Sequence, residues 1–74
     1  MPSNDFSETL ALIAAKAKGR WPFLSPESSV EFAWFSVATD GDASIDDSDL
    51  VHHFEEWNEA NKYGIPTWMI YGRG

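Results

Sequence analysis

The absence of cysteine most constrains the fold of this 74-residue chain, because neither a disulfide nor a cysteine-ligated metal can hold it together. A chain of this length folds around one apolar core. Apolar residues make up 43% of the sequence, and 4 Trp, 2 Tyr and 5 Phe provide large side chains for that core. We therefore expect a single domain over residues 1–74, with thiol nucleophiles, iron-sulfur clusters and dithiol redox chemistry excluded.

The first segment has the pattern of an amphipathic helix over about residues 5–18. Asp5 and Glu8 have the spacing of a capping box, and Gly19 follows as a stop signal. The apolar residues at helical intervals are Phe6, Leu10, Ile13 and Ala17. We expect this side of the helix to face the core.

The second segment, over about residues 27–38, fits a helix better than a strand. Ser25 and Pro26 form a typical helix start, as N-cap and first helical residue. The apolar residues spaced by three and four positions are Val30, Ala33, Trp34 and Val37. If the helix buries these four residues, the side chains of Phe32 and Phe35 point away from the core. The strand alternative rests on alternating large apolar residues in the same segment and on their β-propensity.

The third segment predicts a helix over about residues 47–63. Asp46 or Asp47 can act as its N-cap, and Gly64 can supply a left-handed C-terminal position before Pro66. The predicted core positions are Leu50, Phe54 and Trp57, with Val51 at their edge.

The tail from Thr67 to Tyr71 is apolar and predicts a short extended segment. A lone strand is not stable without a partner, and the second segment is the plausible mate. The sequence thus predicts a mainly α fold of three helices, at about 5–18, 27–38 and 47–63, with a short C-terminal extended segment. The alternative is an α+β fold in the order helix, strand, helix, strand.

Acidic and basic residues are segregated along the sequence. The chain has 12 Asp plus Glu and 5 Lys plus Arg, a net charge of −7, yet residues 21–61 contain no Lys or Arg. The acids of that segment are Glu27, Glu31, Asp40, Asp42, Asp46, Asp47, Asp49, Glu55, Glu56 and Glu59. Projected at about 100° per residue, the acids from Asp49 to Glu59 fall opposite the apolar side of the third helix. This projection predicts an exposed carboxylate surface.

Such a surface predicts docking on a basic surface of a partner protein, where carboxylates could occupy the place of nucleic-acid phosphates. Small acidic inhibitors carried by phages and mobile elements have this size and charge, by analogy of class. Exposed aromatic residues beside the acids would add specificity. The predicted partner-binding residues are Asp40, Asp42, Asp46, Asp47, Asp49, Glu55, Glu56, Glu59, Phe32, Phe35 and Trp68. Two alternatives stay open: a solvated acidic face that favours solubility, and a protein partner without nucleic-acid mimicry.

Residues 30–57 resemble the helix-loop-helix of EF-hand and dockerin proteins. Asp40, Asp42 and Asp49 stand at positions 3, 5 and 12 of the family's calcium loop. Ala38 and Ala43 replace the aspartate of position 1 and the glycine of position 6, so the loop is degenerate. The resemblance implies a helix-loop-helix module with weak or lost calcium binding, in which the calcium ligands would be Asp40, Asp42 and Asp49.

The sequence predicts neither a catalytic site nor a cofactor. His52 and His53 are adjacent, but a hydrolytic zinc site needs three protein ligands, and the chain has 2 His and no Cys. No serine lies in a glycine-bracketed nucleophile motif. The net charge of −7 disfavours direct binding of nucleic acid. We therefore expect a non-enzymatic protein.

Location and assembly are less constrained. The longest apolar run, Leu10 to Ala15, is far shorter than the roughly 18 residues of a membrane span. We expect a cytoplasmic monomer or homodimer without membrane contact. A further alternative is a structural subunit whose C-terminal segment, Trp68 to Tyr71, adds a strand to a partner or to a second copy.

Overall fold

The computed structural model describes residues 3–72, which form four helices. These are α1 (Ser3–Arg20), α2 (Pro26–Ala38), α3 (Asp47–Asn61) and α4 (Thr67–Tyr71). The mainly α prediction is confirmed, and the α+β alternative is wrong because the second segment is helical and residues 3–72 contain no strand. The predicted roles of the Asp5 and Phe6 side chains lie outside the described residues.

The helix starts agree with the capping signals of the sequence for α2 and α3. Ser25 Oγ accepts a hydrogen bond from Ser28 N at 3.1 Å, and Asp46 Oδ1 accepts one from Asp49 N at 2.9 Å. Each bond satisfies a backbone N–H that the first helical turn leaves without a partner. Helix α1, by contrast, begins before Asp5 and continues through Gly19 to its end.

Trp21, directly after α1, is the centre of the core. It is fully buried, stacks on Phe54 at a centroid distance of 3.9 Å, and meets Phe32 edge to face at 5.9 Å. Its Nε1–H donates to the carbonyl oxygen of Ile70 at 2.8 Å. Trp21, which lies between α1 and α2 in sequence, therefore joins α2, α3 and α4, and its buried N–H and the Ile70 carbonyl satisfy each other.

Helix α2 buries a different side from the one predicted. The predicted core residues Val30 and Trp34 are 47% and 52% exposed. The buried residues are the predicted Ala33 together with Ser29, Phe32 and Ser36, which have the same helical spacing, and the predicted Val37 is half-buried against the core. The small serines allow neighbouring helices to pack closely, and their hydroxyls are satisfied: Ser29 bonds Ser25 O, and Ser36 bonds His53 Nδ1. The prediction of Val30 and Trp34 as core residues is wrong, because the close packing at Ser29 and Ser36 decides which side of α2 is buried.

Helix α3 ends at Asn61, earlier than predicted. Lys62, not Gly64, takes the left-handed C-cap conformation with φ 55°, and Gly64 follows in the loop with φ 76°. The Asn58 side chain holds this loop by accepting from Ile65 N and donating to Ile65 O, both at 3.0 Å. These bonds fix the direction in which the chain enters α4.

The predicted extended tail is wrong, because Thr67–Tyr71 is the helix α4. No strand in the described part of the chain could pair with it, so the segment satisfies its backbone within a helical turn. Three side chains then bind its C-terminal end: Arg20 donates to Tyr71 O and Gly72 O, Trp21 donates to Ile70 O, and Glu55 accepts from Tyr71 Oη. Tertiary contacts thereby override the β-propensity of the tail.

Candidate functional site: an acidic surface on α3 and the preceding loop

The loop between α2 and α3 is fastened to α1 by Lys16. Its Nζ donates to Ala43 O at 2.9 Å and to Ile45 O at 2.8 Å. Ile45 is buried in the core and fixes the loop from the other side. Because Lys16 binds two carbonyl oxygens, it holds the loop in place without forming a salt bridge with one of its carboxylates.

Four aspartates of this region surround one depression of about 320 Å³. They are Asp40, Asp42, Asp46 and Asp49. His53 lies at its inner edge, where Nδ1 is 2.7 Å from Ser36 Oγ. The bonds that Asp42 accepts from the Ser44 hydroxyl at 2.7 Å and from Ser44 N at 2.9 Å lower the pKa of its carboxyl. Asp42 therefore stays ionised further into acid than an ordinary aspartate.

Helix α3 continues the carboxylates along its exposed side. Asp49, Glu56 and Glu59 are all exposed on this side, and Asp49 and Glu59 are about 15 Å apart along the axis. His52 lies among them with Nε2 3.1 Å from Glu56 Oε2. We call the exposed acids around the loop depression and on this side of α3 the acidic surface. Its residues are Asp40, Asp42, Asp46, Asp49, Glu56 and Glu59.

Two of the predicted carboxylates instead hold the fold together. Asp47 pairs with Arg20, with Oδ1 3.1 Å from Nε. Glu55 is half-buried and accepts a 2.7 Å hydrogen bond from Tyr71 Oη. By contrast, Asp49 and Glu59 make no side-chain hydrogen bond or ion pair with another described residue. The charges on these two residues are fully available to a partner.

The predicted aromatic residues do not belong to the acidic surface. Phe32 is fully buried between Trp21 and Trp57, so its expected exposure is wrong, and Phe35 is half-buried against the core. Trp68 is 73% exposed, but it lines a separate apolar depression with Phe23 and Arg20. The acidic surface therefore offers charge without the predicted aromatic contacts.

Sequence reasoning missed two exposed apolar side chains on α2. Val30 and Trp34 lie one turn apart on its outer side, and the exposed Glu27 and Glu31 lie on the same side. A second set of residues, which starts at Ser29 and includes Phe32 and Ser36, has a helical spacing as regular as that of the predicted core set. Burial of this second set leaves Val30 and Trp34 exposed, so its spacing is the signal that could have identified them.

Calcium binding through the EF-hand-like loop stays a prediction. Asp40 takes a positive φ of 77°, and Asp49 lies in the first turn of α3. Over residues 3–72, no three His, Asp or Glu side chains converge closely enough to hold a metal ion.

Comparison with protein-family models, with curated proteins and with solved structures gives no match for this chain. Among the helices of residues 3–72, none combines the length and the apolar character needed to cross a membrane.

Proposed function

We propose that the protein is a non-enzymatic interaction module or inhibitor that docks its acidic surface on a basic surface of a partner protein, as a nucleic-acid mimic. Its size and charge are those of small inhibitors carried by phages and mobile elements, and we extend that origin to it by analogy. The partner would be a cytoplasmic nucleic-acid-binding protein whose binding site the acidic surface occludes.

One observation carries this proposal: the acids of residues 21–61 are exposed, except for the half-buried Glu55, and no Lys or Arg lies among them in the sequence. Exposed like charges repel each other and cost stability unless a partner neutralises them. The basic residues nearest to the loop, Lys16 and Arg20, already bind backbone carbonyls or Asp47. Lys16 offsets part of the charge beside Asp42, but the acids outnumber the nearby cations, so the surface stays net negative.

Three carboxylates of α3 form a row of negative charges that is sparser than the phosphates of a nucleic-acid strand. Asp49, Glu56 and Glu59 are separated by about 10 Å and about 4.5 Å along the helix axis, against about 3.4 Å per phosphate of one strand. The acids around the loop depression extend this charge beyond the start of the helix. A basic groove that binds phosphates would meet fewer charges at a wider spacing, and the docking would depend strongly on salt because it rests on charge.

The test compares two variants with equal net charge. Asp49→Asn with Glu59→Gln removes two charges of the acidic surface whose side chains make no hydrogen bond or ion pair with another described residue. Glu27→Gln with Glu31→Gln removes two exposed charges of α2. Each pair includes one acid from the first turn of its helix, so both variants lose one favourable interaction with a helix dipole. Both variants keep the bonds made by Asp46, Asp47 and Glu55.

We expect the wild-type protein to capture a nucleic-acid-binding protein from lysate of the source organism. Added duplex DNA or RNA should then release the captured protein. The affinity of the purified pair should fall about tenfold or more in the Asp49/Glu59 variant, and little in the Glu27/Glu31 variant. Equal losses of affinity in both variants would mean that binding depends on the net charge of the protein and not on the acidic surface. Unchanged binding in both would leave the acidic surface as a solvated face.

A further inference from the structure

His53 lies where the acidic surface meets the core. Its side chain is half-buried and lines the loop depression together with the four aspartates. On the inner side, Nδ1 is 2.7 Å from Oγ of Ser36, a residue that is fully buried. The imidazole is therefore held between a neutral hydroxyl of α2 and the carboxylates of the loop and of α3.

The bond to Ser36 is compatible with both charge states of the imidazole. A serine hydroxyl can donate to an unprotonated Nδ1, and its oxygen can accept from a protonated one. In an imidazolium both ring nitrogens are donors, so the Nδ1 proton would point at Ser36 Oγ. Uptake of a proton by His53 therefore changes the charge of the ring without removing the bond that holds it.

The surroundings of this ring are mainly negative. The charged and titratable groups that face or adjoin it are Asp40, Asp42, Asp46 and Asp49 in the depression, Lys16 of α1, and His52 and Glu56 of α3. Lys16 Nζ acts on Asp42 from the side of the loop, where it binds two backbone carbonyls. Among the described residues that line the depression, none is Lys or Arg. A proton on His53 would thus place a positive charge among four carboxylates.

We propose that His53 makes the docking of the acidic surface depend on pH, so that a proton taken up by its imidazole weakens binding to a basic partner. The inference rests on the proposed function, because it concerns the same surface. A positive charge in the depression offsets part of the attraction that the aspartates exert on a cationic partner. Acidic conditions would therefore release the partner.

The carboxylates themselves do not supply this pH dependence. Histidine is the side chain that ordinarily changes its charge between about pH 5 and 8, whereas carboxyl groups ordinarily ionise well below that range. The hydrogen bonds from Ser44 hold the pKa of the Asp42 carboxyl lower still. Over this range the charge of the loop depression therefore changes at His53.

A decaarginine peptide is a suitable basic probe, because arginine keeps its charge over the whole range. We expect isothermal titration at about 50 mM salt, where screening is weak, to show tighter binding at about pH 7.5 than at about pH 5.5. The difference should be about two- to fivefold, the range of one exposed ion pair. A peptide that binds equally at both pH values, or that does not bind at all, overturns the inference.

The two adjacent histidines give a matched pair of variants. His53→Asn keeps a side-chain oxygen that can accept from Ser36 but carries no charge. His52→Asn removes an equal charge one residue away, from a ring that pairs with Glu56 and does not line the depression. His53→Asn should lose most of the affinity difference between the two pH values, and His52→Asn should keep most of it. Equal losses in both variants would assign the effect to net charge and overturn the role of His53.

NMR of the wild-type protein gives a second readout that needs no variant. If protonation of His53 weakens binding, then by linkage the bound peptide must disfavour protonation of His53. Saturation with decaarginine should therefore move the titration of the His53 ring resonances to lower pH, and by more than that of His52. An unchanged His53 titration overturns the inference. The proposed function fails on a different result, namely that the wild-type protein captures no nucleic-acid-binding protein at neutral pH.

Discussion

Arg20 and Asp47 join α1 to α3 through an ion pair, with Nε 3.1 Å from Oδ1. The same guanidinium donates to Gly72 O at 2.8 Å and to Tyr71 O at 3.3 Å, and so also holds the end of α4. The two partners contribute unequally: the Arg20 side chain is 15% exposed and that of Asp47 is 69% exposed.

Arg20→Met should therefore destabilise the protein more than Asp47→Asn. Loss of Arg20 removes the donors to two carbonyls and should cost about 1–3 kcal/mol. Loss of the Asp47 charge breaks one exposed ion pair and should cost less than about 1 kcal/mol. Urea unfolding of both variants measures the difference, with Lys18→Met as control because Lys18 makes one exposed bond, to Pro22 O. Equal losses of unfolding free energy for Arg20→Met and Asp47→Asn would contradict the conclusion that Arg20 stabilises the C-terminal end of α4.

Two glycines should respond to alanine with opposite signs. A Cβ on Gly41 would meet Ser36 Oγ and lie 2.7 Å from Ser36 O, so Gly41→Ala should cost about 1–3 kcal/mol by overpacking. Gly19 lies inside α1 with nothing within 4 Å of an added Cβ, so Gly19→Ala should stabilise by about 0.5–1 kcal/mol. Thermal and urea unfolding check both. A stabilising Gly41→Ala would mean that the loop does not pack on Ser36 as described.

Tyr71 should link α4 to the pH dependence of stability. The hydrogen bond to Glu55 raises the pKa of the Tyr71 phenol above its ordinary value. A raised folded-state pKa means that the stabilising contribution is complete below the unfolded-state pKa, about 10, and is lost as the pH rises through the folded-state value. The advantage of wild type over Tyr71→Phe should thus be constant at neutral pH and shrink in strong alkali.

Absorbance titration in a Tyr63→Phe background reports Tyr71 alone, since the chain has 2 Tyr. Glu55→Gln in that background removes the negative charge beside the phenol and should lower the pKa of Tyr71. An unchanged pKa would show that the Glu55 contact does not persist in solution.

Calcium binding through the degenerate loop should be weak. The loop offers Asp40, Asp42 and Asp49 but has Ala38 at the first ligand position. Isothermal titration with Ca²⁺ should give a dissociation constant above about 1 mM, and Asp40→Asn with Asp42→Asn should abolish the remaining heat. A dissociation constant near about 1 µM would instead make the protein a calcium-binding EF-hand relative.

Local rules predicted the parts of the fold that depend on neighbours in sequence. Ser25 and Asp46 cap their helices as expected, because an N-cap bond spans three residues. Leu50, Phe54 and Trp57 are buried as expected, since α3 has one apolar side and one charged side. The same projection placed Asp49, Glu56 and Glu59 in the exposed surface.

Contacts distant in sequence decided the rest. Which side of α2 is buried depends on close packing at Ser29 and Ser36, and the burial of Trp21 depends on Ile70, 49 positions away. Whether a carboxylate faces a partner or supports the fold was likewise settled by remote residues, as Asp47 meets Arg20 and Glu55 meets Tyr71.

The sequence by itself therefore determined the starts of α2 and α3, the apolar side of α3 and the charge segregation, because capping, periodicity and charge are local properties. Only the tertiary structure decided the helical state of residues 67–71, the rotation of α2 and the separation of the acidic surface from the exposed Trp68. The physical reason is that a side chain is buried, paired or left exposed by neighbours that the folded chain brings from far along the sequence.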